Sequence, residues 1–432
     1  MPSLYVEDFS CIRRAEMQTG PLTVIIGPQG SGKSLLSKLL YFFLDALSDV
    51  PRLVEEGATL DKSKRAMDER FRDWFPEQAW GDKQFTIEFT MGDVRLKLLR
   101  GKYAGNVKNT LRITTTGAYE TLYAQLSSLY KSAQKQTGEA GSLREVDAYY
   151  LIARRFDIML AKFAGSSPIT RQIFIPAGRS FFTGAGKAMI AFDQGGLMDE
   201  FTLRFGRYFV RAREMSISRL RRIRHEDVIS ADLASELVGG TVRFERTRDY
   251  VLTADGRELP FGTLSSGQQE VLPLIWTLNS RLGLRPSQTS DQEMVYIEEP
   301  EAHLFPTAQS KLVEALVRLV SGPSRHRQMI ITTHSPYVLS KINNMMLAHA
   351  VAGEGQGKAQ QVRAVVEEKS WIPARSVQAY ALADGILEPI VCDGLISGDY
   401  IDQVSGEISR QFADLLDIQS GGLEAVGADE SV

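Results

Sequence analysis

The chain has 432 residues, of which 43% are hydrophobic and 24% charged, a size and balance that suit one large or two modest domains and exclude a small stapled scaffold, a fibre or a mostly disordered chain. With 50 basic and 53 acidic residues the formal charge is -3, so any attraction for nucleic acid must come from a local patch. Two cysteines, Cys11 and Cys392, cannot alone build a disulfide framework or a zinc site; a reducing interior, no secretory pattern at the N-terminus and no apolar run near the roughly 20 residues that span a bilayer predict a soluble, cytoplasmic protein away from membranes.

In chain order, the first informative segment is 22–47, LTVIIGPQGSGKSLLSKLLYFFLDAL. A β-branched run ends in a Gly-rich turn, and Leu35, Leu36, Leu39, Leu40, Phe43 and Leu44 then recur at helical spacing, which predicts strand, loop and helix. Residues 50–82 read as helix and loop. The alternating runs 84–90 and 94–100 across Met91-Gly92-Asp93 predict a hairpin, with 111–116 as a third strand. Helical spacing returns over 117–165, followed by a buried strand and loop in RQIFIPAGR, 171–179. A second helical block, about 197–235, carries Arg204, Arg207, Arg211, Arg213, Arg219, Arg221, Arg222 and Arg224. Short strands at 241–247 and 250–254, a buried strand at 294–299, an amphipathic helix at 307–320 and a strand at 328–336 complete the pattern. The last 12 residues, GGLEAVGADESV, read as a mobile tail.

Four motifs carry chemistry. Gly27-Pro-Gln29-Gly30-Ser31-Gly32-Lys33-Ser34 matches the phosphate-binding loop G-x-x-x-x-G-K-[ST], with the strand before and helix after that the chemistry requires. Its backbone N–H groups converge on phosphate oxygens, Lys33 neutralises β/γ charge and Ser34 offers a hydroxyl to Mg²⁺. The second motif, Met294 to Glu299, is a buried strand ending in two acids. Glu298 is placed to hold the metal's shell and Glu299 to orient or activate water. Glu298 stands where most such sequences carry Asp, one methylene shorter.

Leu264-Ser265-Ser266-Gly267-Gln268-Gln269 resembles the signature L-S-G-G-Q, with Ser266 for the first glycine; a plain helix cap is the alternative. His334, in Ile-Ile-Thr-Thr-His-Ser-Pro after a buried strand, can hydrogen-bond a γ-phosphate or the water beside Glu299. Steps of 34 residues from Ser265 to Glu299 and 35 from Glu299 to His334 put the set in a consistent order.

Together these residues resemble the ABC-class AAA ATPases that include SMC, RecF and the OLD family, and YIEEPEAHLFP with ITTHSPYVLS is similar to stand-alone ATPases of bacterial anti-phage defence such as PARIS and Septu. The resemblance implies an α/β P-loop NTPase of ABC-ATPase head type with an antiparallel β subdomain and a helical insertion. Its expected parts are an N-terminal lobe (1–116), a largely helical insertion with the Arg-rich block (117–235), a C-terminal lobe with signature, acids and histidine (236–345), and a docking segment with acidic tail (346–432). It implies ATP and Mg²⁺ as ligands, with Gly27 to Ser34 of one copy and Ser265 to Gln268 of another sandwiching one nucleotide in a homodimer or higher oligomer. Glu299 and His334 would hydrolyse it.

OLD enzymes also carry a Toprim nuclease built from a Glu and a D-x-D pair. No D-x-D in a suitable strand context follows Thr333, so the expected effector is a separate protein, a Toprim or HNH nuclease or a toxin. The alternative function is a RecF- or SMC-like DNA-maintenance ATPase; a nucleotide-gated scaffold with slow turnover is another. PEAHLFP after Glu299 speaks against a transporter half. The position of the family's glutamine loop stays open: Gln84 precedes a strand pattern and Gln172 lies beside IFIPAGR. The face formed by Arg204, Arg207, Arg211 and Arg222 stays open between a solvated or salt-bridged surface, a nucleic-acid patch and a dock for a phage or effector protein.

Overall fold

The structure, a computed structural model, describes residues 1–101, 110–136, 143–185, 198–217, 228–282, 292–321, 327–397, 411 and 415–416. Its strands are β1 (Ser3–Phe9), β2 (Ile12–Gln18), β3 (Leu22–Ile26), β4 (Phe85–Met91), β5 (Val94–Arg100), β6 (Leu111–Thr115), β7 (Ile169–Ile175), β8 (Thr241–Phe244), β9 (Asp249–Leu252), β10 (Glu258–Pro260), β11 (Gln292–Glu298), β12 (Arg327–Thr333), β13 (Val377–Ala383), β14 (Ile386–Pro389), β15 (Val391–Cys392) and β16 (Leu395–Ile396). The helices are α1 (Lys33–Ser48), α2 (Val50–Glu55), α3 (Leu60–Trp74), α4 (Gly117–Gln136), α5 (Leu143–Ala164), α6 (Phe181–Ala185), α7 (Glu200–Ile217), α8 (Ala231–Val238), α9 (Ser266–Leu282), α10 (Pro306–Ser321), α11 (Pro336–Ala352) and α12 (Gln356–Arg363).

Eleven strands form one sheet in the order β6-β5-β4-β1-β2-β14-β13-β3-β12-β11-β7. Five of them, β13, β3, β12, β11 and β7, run parallel. All five residues of β3 are buried, as a strand covered on both faces must be. Leu22, Val24 and Ile26 pack with Leu312, Leu316, Val338 and Ile342 of α10 and α11; Ile25 faces α1, with Leu36, Leu39 and Leu40. Beyond β14 the sheet turns antiparallel through β2, β1, β4, β5 and β6. An aromatic cluster of Phe9, Phe42, Phe71, Phe75, Trp80 and Phe85 packs there in tilted and edge-to-face pairs. The expected α/β P-loop fold with an antiparallel subdomain is present.

Within the largely helical stretch 117–235, the strand expected at 171–179 is β7, which pairs with β11 in the main sheet, with helices on either side of it. β13 sits beside β3, pairing Val377 with Leu22 through to Ala381 with Ile26, so the parallel core is completed from the far end of the chain. The acidic tail 421–432 and the residues 218–227, with Arg219, Arg221, Arg222 and Arg224, lie outside the described residues.

Candidate functional site

The parallel strands bring four loops to one edge of the sheet: 27–32 after β3, 299–305 after β11, His334 after β12 and 176–180 after β7. In open α/β sheets this carboxyl edge is where ligands bind. Gly27 is required by close packing: a Cβ there would lie 2.2 Å from the Leu382 carbonyl oxygen of β13. α1 then begins at Lys33, so its N-terminal N–H groups and positive dipole end face the loop.

Lys33, His334 and Glu299 form one contiguous chain. The buried Lys33 ammonium donates to the Gly27 and Pro28 carbonyls, each at 2.8 Å, and lies 3.3 Å from His334 Nδ1. An ammonium has only donors, so His334 Nδ1 accepts and Nε2 carries the ring proton. Nε2 is 2.7 Å from Glu299 Oε1, to which it donates. Burial pushes the Lys33 pKa down, and the charges of Glu299 and Glu301 pull it back up. The His334 and Glu299 side chains keep 31% and 33% of their exposure, which leaves the carboxylate accessible to water.

Glu299 has φ of 43°, a left-handed conformation that costs a non-glycine residue about 1–3 kcal/mol. Its N–H donates to Thr332 O at 2.9 Å. Glu298 is buried, and its extra methylene carries the carboxylate to the loop after β7, where Ala177 N–H donates to Oε2 at 3.0 Å. The other oxygen, Oε1, is buried with no hydrogen-bond partner. An acceptor in that condition fits a cation, as does the half-buried Ser34 in the first turn of α1. Among the described residues no three His, Cys, Asp or Glu side chains converge on a metal site of their own. A Mg²⁺ held here would share its remaining ligands with phosphate oxygens and water.

The signature segment is differently placed. Ser265 and Gln268 cap α9 reciprocally: the Ser265 N–H and hydroxyl donate to Gln268 Oε1 at 2.9 and 3.0 Å, and the Gln268 N–H reaches Ser265 Oγ at 3.4 Å. The Gln268 amide also donates to Val238 O at 2.8 Å. The segment thus forms the helix cap given as the alternative, and Ser265 and Ser266 remain exposed at the N-terminal end of α9. Gly267 is buried beneath them because a Cβ would lie 2.6 Å from His303 O. Among the described residues no hydrogen bond joins Ser265 to Gln268 with Gly27 to Ser34 of the same chain.

Three residues not picked out as site residues by their motifs hold the site together. Arg179 is fully buried and donates to backbone carbonyls at the end of β11 and in α9. Burial lowers its pKa, against the raising charges of Glu270, Glu301, Glu298 and Glu299. Glu270, in the first turns of α9, accepts from Ser180 N–H at 3.3 Å. Glu301 Oε1 accepts from the Thr333 hydroxyl and from His334 N–H, the latter at 3.0 Å. The signal for Arg179 was an uncompensated charge straight after an apolar strand, in IFIPAGR. Gln172 bonds Tyr41 O at 3.1 Å and the Tyr296 hydroxyl at 3.4 Å inside the core, while Gln84 is exposed just before β4. Of the Arg-rich block, Arg204 bonds Glu200 and Asp45 at 2.7 and 2.5 Å and covers Trp74, and Arg213 bonds both oxygens of Asp249 at 2.7 and 2.8 Å. These two guanidiniums are committed within the molecule.

Among solved structures the chain is similar to the SMC head domain from Thermotoga maritima, at 13% identity over 90% of this chain and 98% of that one, with a TM-score of 0.35. It is also similar to the recombination mediator RecF, at 13% identity over 90% and 97% with a TM-score of 0.29, and to a dimeric ATP-binding cassette bound to ADP and Pi, at 9% over 90% and 99% with a TM-score of 0.28. At such distances the likeness is descriptive, and the fold assignment rests on the strand order and loops above. No curated protein matches the chain. The family described as "AAA domain, putative AbiEii toxin, Type IV TA system" matches residues 22–340, and since that span holds the phosphate loop, both acids, the signature helix and His334, the chain belongs to this AAA family.

Proposed function

We propose that the protein is an ATPase in which Gly27, Gln29, Gly30, Ser31, Gly32, Lys33 and Ser34 bind the phosphates of ATP, and Glu299 with His334 drives hydrolysis. The observation that carries this reading is the unbroken line from Lys33 through His334 to Glu299 at the carboxyl edge of the parallel strands. Lys33 fixes the imidazole tautomer, and the Nε2 proton holds one carboxylate oxygen of Glu299. The other oxygen is left to take a proton from water as that water attacks the γ-phosphorus, with ADP as the leaving group. Mg²⁺ would be held by Ser34 and Glu298 and would neutralise charge on the phosphate oxygens.

The exposed Ser265 and Ser266, with Gly267 and Gln268, are proposed to contact nucleotide bound by a second copy, giving an ATP-sandwiched dimer or larger oligomer. The role we propose is in anti-phage defence, acting on a separate effector, a nuclease or toxin; the family description, which names a toxin of a toxin–antitoxin system, is consistent with a defence role. The internal pairing of Arg204 with Asp45 and Glu200 withdraws one guanidinium from the face of Arg204, Arg207, Arg211 and Arg222 on which a RecF- or SMC-like maintenance role would draw. Lys33→Ala should abolish ATP binding measured by fluorescent-nucleotide titration, and phosphate release with it. Undiminished turnover would refute the site.

A further inference from the structure

We propose that Arg179 is a positioning residue for hydrolysis: it holds the Glu299 backbone in its left-handed conformation and ties it to the first turns of α9. The inference rests on the assignment of Glu299 and His334 as the hydrolytic pair. Arg179 Nη1 donates to Glu298 O at 2.8 Å and to Pro176 O at 3.1 Å, and Nη2 donates to Glu299 O at 3.1 Å. The carbonyls of Glu298 and Glu299 belong to the two peptide planes on either side of the Glu299 Cα. Fixing both planes with one rigid planar group fixes φ and ψ of the residue between them. That residue has φ of 43°, in the region L-residues avoid. Its carboxylate reaches His334 only while that backbone turn is kept.

The same guanidinium reaches the signature helix. Nε donates to Glu270 O at 2.8 Å and lies 3.6 Å from Glu270 Oε2, while Glu270 Oε1 accepts from Ser180 N–H. Glu270 stands one turn from Ser266, and Gly267 is seated against His303 O. A displacement of the exposed end of α9 is therefore passed to the peptide that aims Glu299. Arg179 touches none of the reacting atoms; it acts through Glu299. A lysine, with three donors on one point, cannot span these separated carbonyls as the fork does.

The test compares turnover, KM and ATP affinity for Arg179→Lys, alone and in a Glu299→Gln background, with Glu270→Gln as a second variant that leaves the buried guanidinium in place. Misplacing a reacting group by about 1 Å costs up to about 10²-fold. Arg179→Lys is expected to lower kcat by about 10- to 100-fold, with ATP affinity within about twofold of wild type. In the Glu299→Gln background the same change should lower the residual rate by less than about twofold, because no carboxylate base is left to aim. Glu270→Gln should lower kcat several-fold at unchanged affinity, and this arm decides the matter if Arg179→Lys does not fold. A parallel loss of affinity and kcat, multiplicative effects in the double variant, or an unchanged kcat in Glu270→Gln would each overturn the proposal. A Glu299→Gln variant with wild-type turnover would instead refute the underlying assignment of the hydrolytic pair.

Discussion

Lys33 is the residue on which the electrostatics of the site turn. Desolvation lowers its pKa, and the nearby Glu299 and Glu301 oppose that shift. The ammonium is present at low pH and is lost as pH rises through this lowered value. ATP affinity should therefore weaken on the alkaline side at a pH below the ordinary lysine range of about 10.4. Glu301→Gln removes one of the raising charges, so the weakening should move to lower pH in a titration of ATP affinity against pH. A limb that stays in place would remove Glu301 from the field at Lys33. Glu298 shows how a departure in sequence becomes legible only in three dimensions: the added methylene reaches Ala177 N–H and leaves Oε1 free of protein donors.

At the scale of elements, the unexpected neighbour of β3 is β13. Where β14 has only one pair with β2, at Ile386 and Arg14, the Tyr380 hydroxyl bridges the gap. It accepts from Gln18 N–H at 2.9 Å and donates to Gln18 O at 3.0 Å, so a side chain replaces a strand partner. Tyr380→Phe should cost about 0.5–1.5 kcal/mol, the net worth of a part-buried hydrogen bond, measured by urea denaturation; a loss below about 0.5 kcal/mol would mean that water substitutes for the hydroxyl. Strands β3, β4, β5, β11 and β12 were legible because their alternation or continuous burial is plain in sequence. β1 and β2 carry no such signal, since their hairpin turns through Ser10-Cys11 with no Gly, Pro or Asn, and Ser10 takes φ of 54°. β13 carries Ala379, Ala381, Leu382 and Ala383, which favour helix locally; burial between β3 and β14 overrides that preference. Among site residues, the four motifs could be read because their chemistry fixes residue type and spacing. Arg179, Glu270 and Glu301 act through backbone groups distant in sequence, which no spacing reveals.

Considered whole, the molecule places its phosphate-loop motif and the bonded pair Glu299 and His334 on one edge and leaves the exposed Ser265 and Ser266 unbonded to that loop within the chain. The arrangement suits completion of each site by a second copy. Glu299→Gln with ATP and Mg²⁺ should therefore accumulate a species of about twice the monomer mass or more in light scattering, through ligand linkage to assembly, and Ser266→Arg should prevent it. An assembly indifferent to nucleotide would count against the sandwich. Among the described residues no helix is long and apolar enough to cross a membrane. The central claim, that Glu299 paired with His334 hydrolyses ATP bound at Lys33, is tested most directly by phosphate release from saturating ATP and Mg²⁺ in wild-type protein and Glu299→Gln. Loss of a general base predicts a fall in kcat of about 10²- to 10⁴-fold with ATP still bound, whereas equal rates in the two proteins would contradict the account.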